Sequence, residues 1–232
     1  MRTLLRGALL AILLLPALGQ AALARAQLET FERQLWRISA DHHMIDLMDG
    51  DQRYGASLDE TASAAAAGLE TLAGNAESEQ EQALVADLQA RWQELDAAGE
   101  GDPARFDRVP AAVSERIETF EGGESGDYDD VQRLITGLQR LTATYTAIVG
   151  GGDADQDAFR AELGEFGQRL KRAQAAHGDH GPLKEALEQS RLKWEFVRGS
   201  LTKFGNDAVP FLVYRYTGRM TENLDQAMAP AD

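Results

Sequence analysis

The stretch from Lys193 to Tyr216 reads KWEFVRGSLTKFGNDAVPFLVYRY and holds six of the chain's sixteen aromatic residues: Trp194, Phe196, Phe204, Phe211, Tyr214 and Tyr216. A paler copy lies about one hundred residues upstream, where Arg91-Trp92 leads through a Gly-rich gap to Phe106-Asp107-Arg108-Val109-Pro110. Trp92 precedes Pro110 by 18 residues, and Trp194 precedes Pro210 by 16. In each copy Asp-x-Val-Pro reads as a helix start. The Asp can cap, and a Pro in the first turn gives up an N–H that has no partner there anyway.

The echo extends in both directions. Leu28, Phe31, Leu35, Ile38 and Ile45 fall at helical spacings, and Val131, Leu134, Leu138, Leu141 and Ile148 repeat them at an offset of 103. Gly50-Asp51 returns as Gly152-Asp153, and the tryptophans keep the same offset of 102. Every long segment has a helical period, and no run alternates as a strand does. The pattern predicts an all-α protein made of two consecutive up-down antiparallel four-helix units, the product of an internal duplication. Residues 27–121 form the first unit and residues 127–229 the second, with Gly122–Gly126 as the break. Within them helices are expected at about 27–49, from a cap at Ser57 or Asp59 to Gly74, 77–98, from Asp107, 127–149, 154–176, 182–204 and 207–228.

Arg2 and Arg6 precede the apolar run Ala8–Leu18, and small residues follow at Ala21-Ala22-Leu23-Ala24-Arg25-Ala26. Residues 1–26 therefore read as a signal peptide with cleavage after Ala24 or Ala26, which places the mature chain in the periplasm or outside the cell. No later segment is long and apolar enough to span a membrane. Removing Arg2, Arg6 and Arg25 with the leader leaves 20 basic against 38 acidic residues, a net charge of −18. Such a surface repels nucleic acid and anionic lipid. The absence of Cys excludes disulfides, a thiol nucleophile, Cys-ligated metal and c-type haem attachment.

No nucleophile elbow, zincin helix, phosphate loop or dinucleotide fingerprint occurs, so no enzymatic activity and no cofactor are expected. Metal-binding candidates are weak. His42 with Asp46, or Met44 with Met48, shares a helix face at i,i+4, and His177 and His180 sit in a loop. A metal- or haem-binding bundle and a structural or interaction protein of the envelope are the alternatives to a ligand-binding module. The aromatic stretch allows two readings. It is a core of large residues, or Trp194 and Tyr214 with Arg215 face an anionic or ring-bearing ligand.

The run Thr136-Gly137-Leu138-Gln139-Arg140-Leu141-Thr142 resembles the G-x-Q-R-M-L-S segment opening the N-terminal domain of type IV pilus methyl-accepting chemotaxis transducers, the PilJ-type domain. That resemblance implies an exported helical sensory bundle, possibly in tandem, with Trp92 and Trp194 in the place of a later-helix Trp. By position it also implies anion contact through Gln139 and Arg140, and through Arg37 in the first unit. The family's second Arg, four residues on, is Thr144 here and Asp41 in the first unit. The expected partners are a small molecule or an envelope protein.

Overall fold

A computed structural model describes residues 23–96, 102–179 and 181–229, and these are all-helical. Eight α-helices are described: α1 Arg25–Leu47, α2 Gln52–Asn75, α3 Glu79–Asp96, α4 Arg105–Glu118, α5 Asp129–Val149, α6 Gln156–Ala176, α7 Gly181–Arg198 and α8 Pro210–Met228. Most of the expected leader lies outside the described residues. No described helix is long and apolar enough to cross a membrane.

Several helix boundaries differ from the sequence expectation, and at the starts of α2 and α4 a polar side chain expected to cap is employed elsewhere. Helix α2 starts at Asp51, whose carboxylate accepts from the Arg53 N–H at 3.0 Å, and it runs through Gly55. Ser57, the expected cap, bonds a buried carboxylate instead. Asp107 falls inside the first turn of α4 and accepts from Ser39 and His43 at 3.2 and 2.8 Å. Helix α7 stops at Arg198, just before Gly199, and the Tyr145 hydroxyl of α5 ties down the connection that follows. It donates to the Lys203 carbonyl at 3.1 Å and accepts from the Val209 N–H at 3.0 Å. Pro210 then occupies the first turn of α8, as its missing N–H requires.

Leu28, Phe31, Leu35, Leu69, Leu84, Leu88, Val109 and Val113 close one core within α1–α4. Val131, Leu134, Leu138, Phe159, Phe166, Leu187, Trp194, Val213 and Met220 close another within α5–α8. Each helix packs on the next, and the first of each set also packs on the last. The most extensive helix pairing, however, joins α1 to α5. Fifteen of the 21 residues of α5 are buried and 11 of the 23 of α1, against four in α2, so these two helices bury a second face on one another. That seam is built of small and polar groups. Ala40 and Ala143 meet Trp36, and the Thr136 hydroxyl donates to the Glu29 carbonyl at 3.3 Å.

The start of α1 is clasped to the end of α4. The Arg25 guanidinium donates to the carbonyls of Ile117 and Phe120 at 3.0 and 3.1 Å, the terminal acceptors a helix leaves unpaired. A short bridge adds Arg25 N–H to the Glu124 carbonyl and Glu124 N–H to the Leu23 carbonyl, both 2.9 Å. Gly123 permits it. Its φ is +100°, and a Cβ there would stand 3.1 Å from the Leu23 carbonyl oxygen.

Glu32 lies buried on the α4 side of α1, accepting from the Ser114 hydroxyl, which itself accepts from the Trp36 indole at 2.9 Å. Burial pushes its carboxyl up to about 7. The Ser114 bond and Arg140 oppose this, and the neighbouring Glu29 and Glu118 reinforce it. The folded state therefore holds a proton that the unfolded chain releases near pH 4.5, so this group's contribution to stability falls as pH rises from about 4.5 to 7. Glu32→Gln should remove that penalty. It is expected to raise unfolding free energy at pH 8 by on the order of 3 kcal/mol and change it little at pH 4.5. Urea unfolding at the two pH values checks this, and an equal effect at both would contradict it.

Candidate functional site

At one edge of the α1–α5 seam, Asp41 is wholly buried among groups from three helices. Arg37, one turn earlier on α1, donates Nε to its carboxylate at 3.2 Å. The Ser57 hydroxyl of α2 donates to it at 2.8 Å and accepts from Arg37 Nη2 at 3.2 Å. From α8, Tyr214 donates its hydroxyl to Asp41 and accepts from Arg37. The Arg37 guanidinium also lies 4.4 Å from the centre of the Tyr214 ring, and Tyr54 meets that ring edge-on at 5.2 Å. Burial pushes the Asp41 carboxyl up, with Arg37, Tyr214 and Ser57 pulling it back. Burial also raises the Tyr214 phenol, Arg37 opposing and Asp41 adding to the shift, so the hydroxyl stays a neutral donor.

Above this network opens a cleft of about 550 Å³. One wall is a helical stripe of α8: Phe211, Tyr214, Arg215, Gly218, Arg219 and Glu222, at steps of three and one. The other is the first two turns of α2, Arg53, Tyr54 and Ser57, with Arg37 of α1 beneath. Helix N-termini carry partial positive charge, so the start of α2 adds to the field of four arginines. Only one lining residue, Glu222, is acidic. Arg37 is committed to Asp41, and Arg53 to Asp51 at 2.6 Å. Among the described residues neither Arg215 nor Arg219 has an ion-pair partner. Their spacing of four places them side by side on one face.

Of the residues singled out from the sequence, Arg37, Tyr214 and Arg215 are brought together here. Arg140 and Gln139 are not. Arg140 sits between α5, α6 and α4, with Nε 2.5 Å from Glu162 and Nη1 3.5 Å from Glu118. Burial works against its charge, but Glu162, Glu32 and Glu118 outweigh it and hold the guanidinium protonated. Gln139 donates to the Thr221 hydroxyl at 2.9 Å, tying α5 to α8. Trp194 is buried on Phe166, ring centres 4.4 Å apart, in the second core.

The histidine–methionine set lies on the other side of the seam, where His42, His43 and Asp46 line a cleft of about 690 Å³ closed by Asp107, Thr144 and Gly150–Gly152. His42 stacks on Phe106 at 3.8 Å, and burial followed by the neighbouring His43 lowers its pKa. His43 contacts Asp107 at 2.8 Å, and Met44 is fully buried away from Met48 in the packing of α1. Among the described residues no three His, Asp or Glu side chains form a group that could hold a metal ion.

Tyr54, Ser57 and Arg53 were not legible as site residues. Of the α8 stripe, Phe211, Tyr214 and Arg215 stood out in the sequence as part of the aromatic stretch with Trp194, but Trp194 packs in the second core while they line the cleft beside α1 and α2. No protein-family model, curated protein sequence or solved structure matches this chain.

Breaking the Asp41 network from its two ends should cost different amounts. Arg37→Met leaves a buried carboxylate without its countercharge and is expected to destabilise by about 3–5 kcal/mol. Asp41→Asn leaves Arg37 near the cleft, within reach of water, and should cost less. The double variant should recover part of the Arg37→Met loss. Denaturant unfolding of all four proteins measures the coupling, and strict additivity would count against the network.

Proposed function

We propose that this chain is an exported, non-enzymatic helical module that binds a small organic anion in the α1–α2–α8 cleft. The observation that carries the reading is charge placement. In a chain of net charge −15, four arginines converge on one cleft, and two of them, Arg215 and Arg219, face it without an acidic partner among the described residues. The volume falls in the range of roughly 300–1,000 Å³ typical of small-molecule sites.

A sensory-type origin is supported by the arrangement of the two cores. The offset-related residues Leu28, Phe31, Leu35 and Ile38 of α1 and Val131, Leu134, Leu138 and Leu141 of α5 are all buried. That symmetry favours duplication of a four-helix unit like the PilJ-type domain, with residues 27–121 and 127–229 as its copies. A module of this kind would report ligand to an envelope partner. The exposed Leu192 and Phe196 of α7 supply an apolar surface for such a contact.

Export is supported by the leader-like composition of the first residues, and the fold bears on where it would be cut. Leu23 is fully buried and donates its N–H to Glu81 at 2.9 Å, and Arg25 belongs to the clasp on α4. Cleavage after Ala24 would remove the Leu23 contact, and cleavage after Ala26 the Arg25 clasp as well. We therefore place it after Ala21 or Ala22, where Gly19-Gln20-Ala21 also offers small residues at the required spacing. N-terminal sequencing of the exported protein should read Ala22 or Leu23 first. A start at Arg25 or Gln27, or a retained leader, would rule this boundary out.

Ligand binding is tested by thermal unfolding against a panel of small carboxylates and phosphates. At one hundred times its Kd a true ligand should raise Tm by about 5–10 °C. Arg215→Gln/Arg219→Gln should abolish the shift without lowering the Tm of the free protein. If no anion shifts the unmodified protein, the assignment is lost.

A further inference from the structure

Hydrogen-bonding capacity in the cleft is distributed unevenly, and this restricts what can bind. On the inner side, polar groups are present but already engaged. The Tyr214 hydroxyl both donates, to Asp41, and accepts, from Arg37. The Ser57 hydroxyl likewise donates to Asp41 and accepts from Arg37. Arg53 is held in a two-pronged pair by Asp51, with Nε and Nη2 both on that carboxylate. Tyr54 is buried, 5% exposed, and the Tyr214 ring is half-buried under Arg37 and beside Tyr54, so the inner side offers a ligand little beyond part of the Tyr214 ring.

On the outer side stand Arg215 and Arg219, the uncommitted cations, and beside them Phe211 at the start of α8. Phe211 is 44% exposed, one of three large apolar side chains among the described residues left so open. A ligand ring laid across the cleft would cover it. The remaining polar member of the stripe, Glu222, is an acid three residues beyond Arg219, so a second negative group on the ligand would meet repulsion.

Building on the anion-binding assignment above, we infer that the cleft selects a ring-bearing organic anion, an aryl carboxylate or aryl phosphate. Its single anionic head is held by Arg215 and Arg219, and its ring lies against the exposed Phe211 and the accessible part of Tyr214. Two guanidinium groups can grip either head in a bidentate manner, and aromatic walls favour a planar body over an aliphatic one. Bare inorganic anions would leave the aromatic surface uncovered. Polyols would find few free donors or acceptors, and dicarboxylates would place a charge against Glu222.

Titration calorimetry on the full mature chain, with probes paired by head group, tests the inference: benzoate against acetate, and phenyl phosphate against inorganic phosphate. Each ring-bearing probe should bind at least about tenfold more tightly than its ringless partner. Phe211→Ala, at a position open enough to leave the fold intact, should weaken benzoate and phenyl phosphate about three- to tenfold and leave the ringless probes unchanged. Arg215→Gln/Arg219→Gln should weaken all four, with helical circular dichroism as the folding control. The head group preferred, carboxylate or phosphate, is read from the same titrations. If acetate or inorganic phosphate matches its ring-bearing partner, or if Phe211→Ala is silent, ring selection is overturned while anion binding stands. If no probe binds, or binding persists in the double arginine variant, both fall.

Discussion

A carboxylate with no contact with water, Asp41, is the constraint on which the arrangement of the two four-helix sets turns. Burying an ionised carboxylate is tolerable only where countercharge and hydrogen bonds surround it. Its donors come from α1, α2 and α8, so satisfying one atom group requires helices from both ends of the sequence to be in register. Tyr214 reaches it across 173 residues of chain. The same demand shapes the cleft. By drawing Arg37, Ser57 and the Tyr214 hydroxyl inward, Asp41 leaves two unclaimed guanidinium groups at the cleft's outer wall.

The seam beside it follows a different logic from the two cores. The cores are Leu, Val, Phe and Ile and would close almost any four amphipathic helices. The seam is narrow, with Ala40 against Ala143 and the Thr136 hydroxyl on the Glu29 carbonyl. Other polar groups of α1 and α5 reach to the outer helices: Glu32 to Ser114 of α4, Gln139 to Thr221 of α8, Arg140 to Glu162 of α6. Apolar burial supplies most of the driving force. These polar pairs supply direction, because a shift of one turn of α1 against α4, or of α5 against α6 or α8, would strand them.

The helices and their buried stripes could be read from the sequence because a 3.6-residue period in Leu, Ile and Val is a strong local signal. Leu28 through Ile38 and Val131 through Leu141 lie where that period puts them. The pairing of α1 with α5 could not be read, since Ala, Gly and Thr carry little hydropathy contrast. Arg140 illustrates the limit for sites. A lone Arg beside a Gln resembles a ligand group until Glu162 and Glu118 are seen to face it. Tyr214 and Arg215 could be singled out because they belong to the aromatic stretch, but that they face α1 and α2 could not be read. Arg53, Tyr54 and Ser57 owe their place to the approach of α2 and α8, which no local pattern records. Helix ends were misplaced where a side chain such as Ser57 or Asp107 that could have capped was bonded to a distant partner.

The clasp between Arg25 and the end of α4 also sets an order of events during synthesis. A chain emerges N-terminus first, yet its first described residues find their partners at Ile117, Phe120 and Glu124. The first core therefore cannot be sealed until more than half of the polypeptide is free. The inner face of α1 stays uncovered longer still, until α5 has followed. Asp41 stays open to water beyond that point, because its partner Tyr214 lies on α8. Long-range closure of this kind slows folding, and here it also delays commitment until both halves are present.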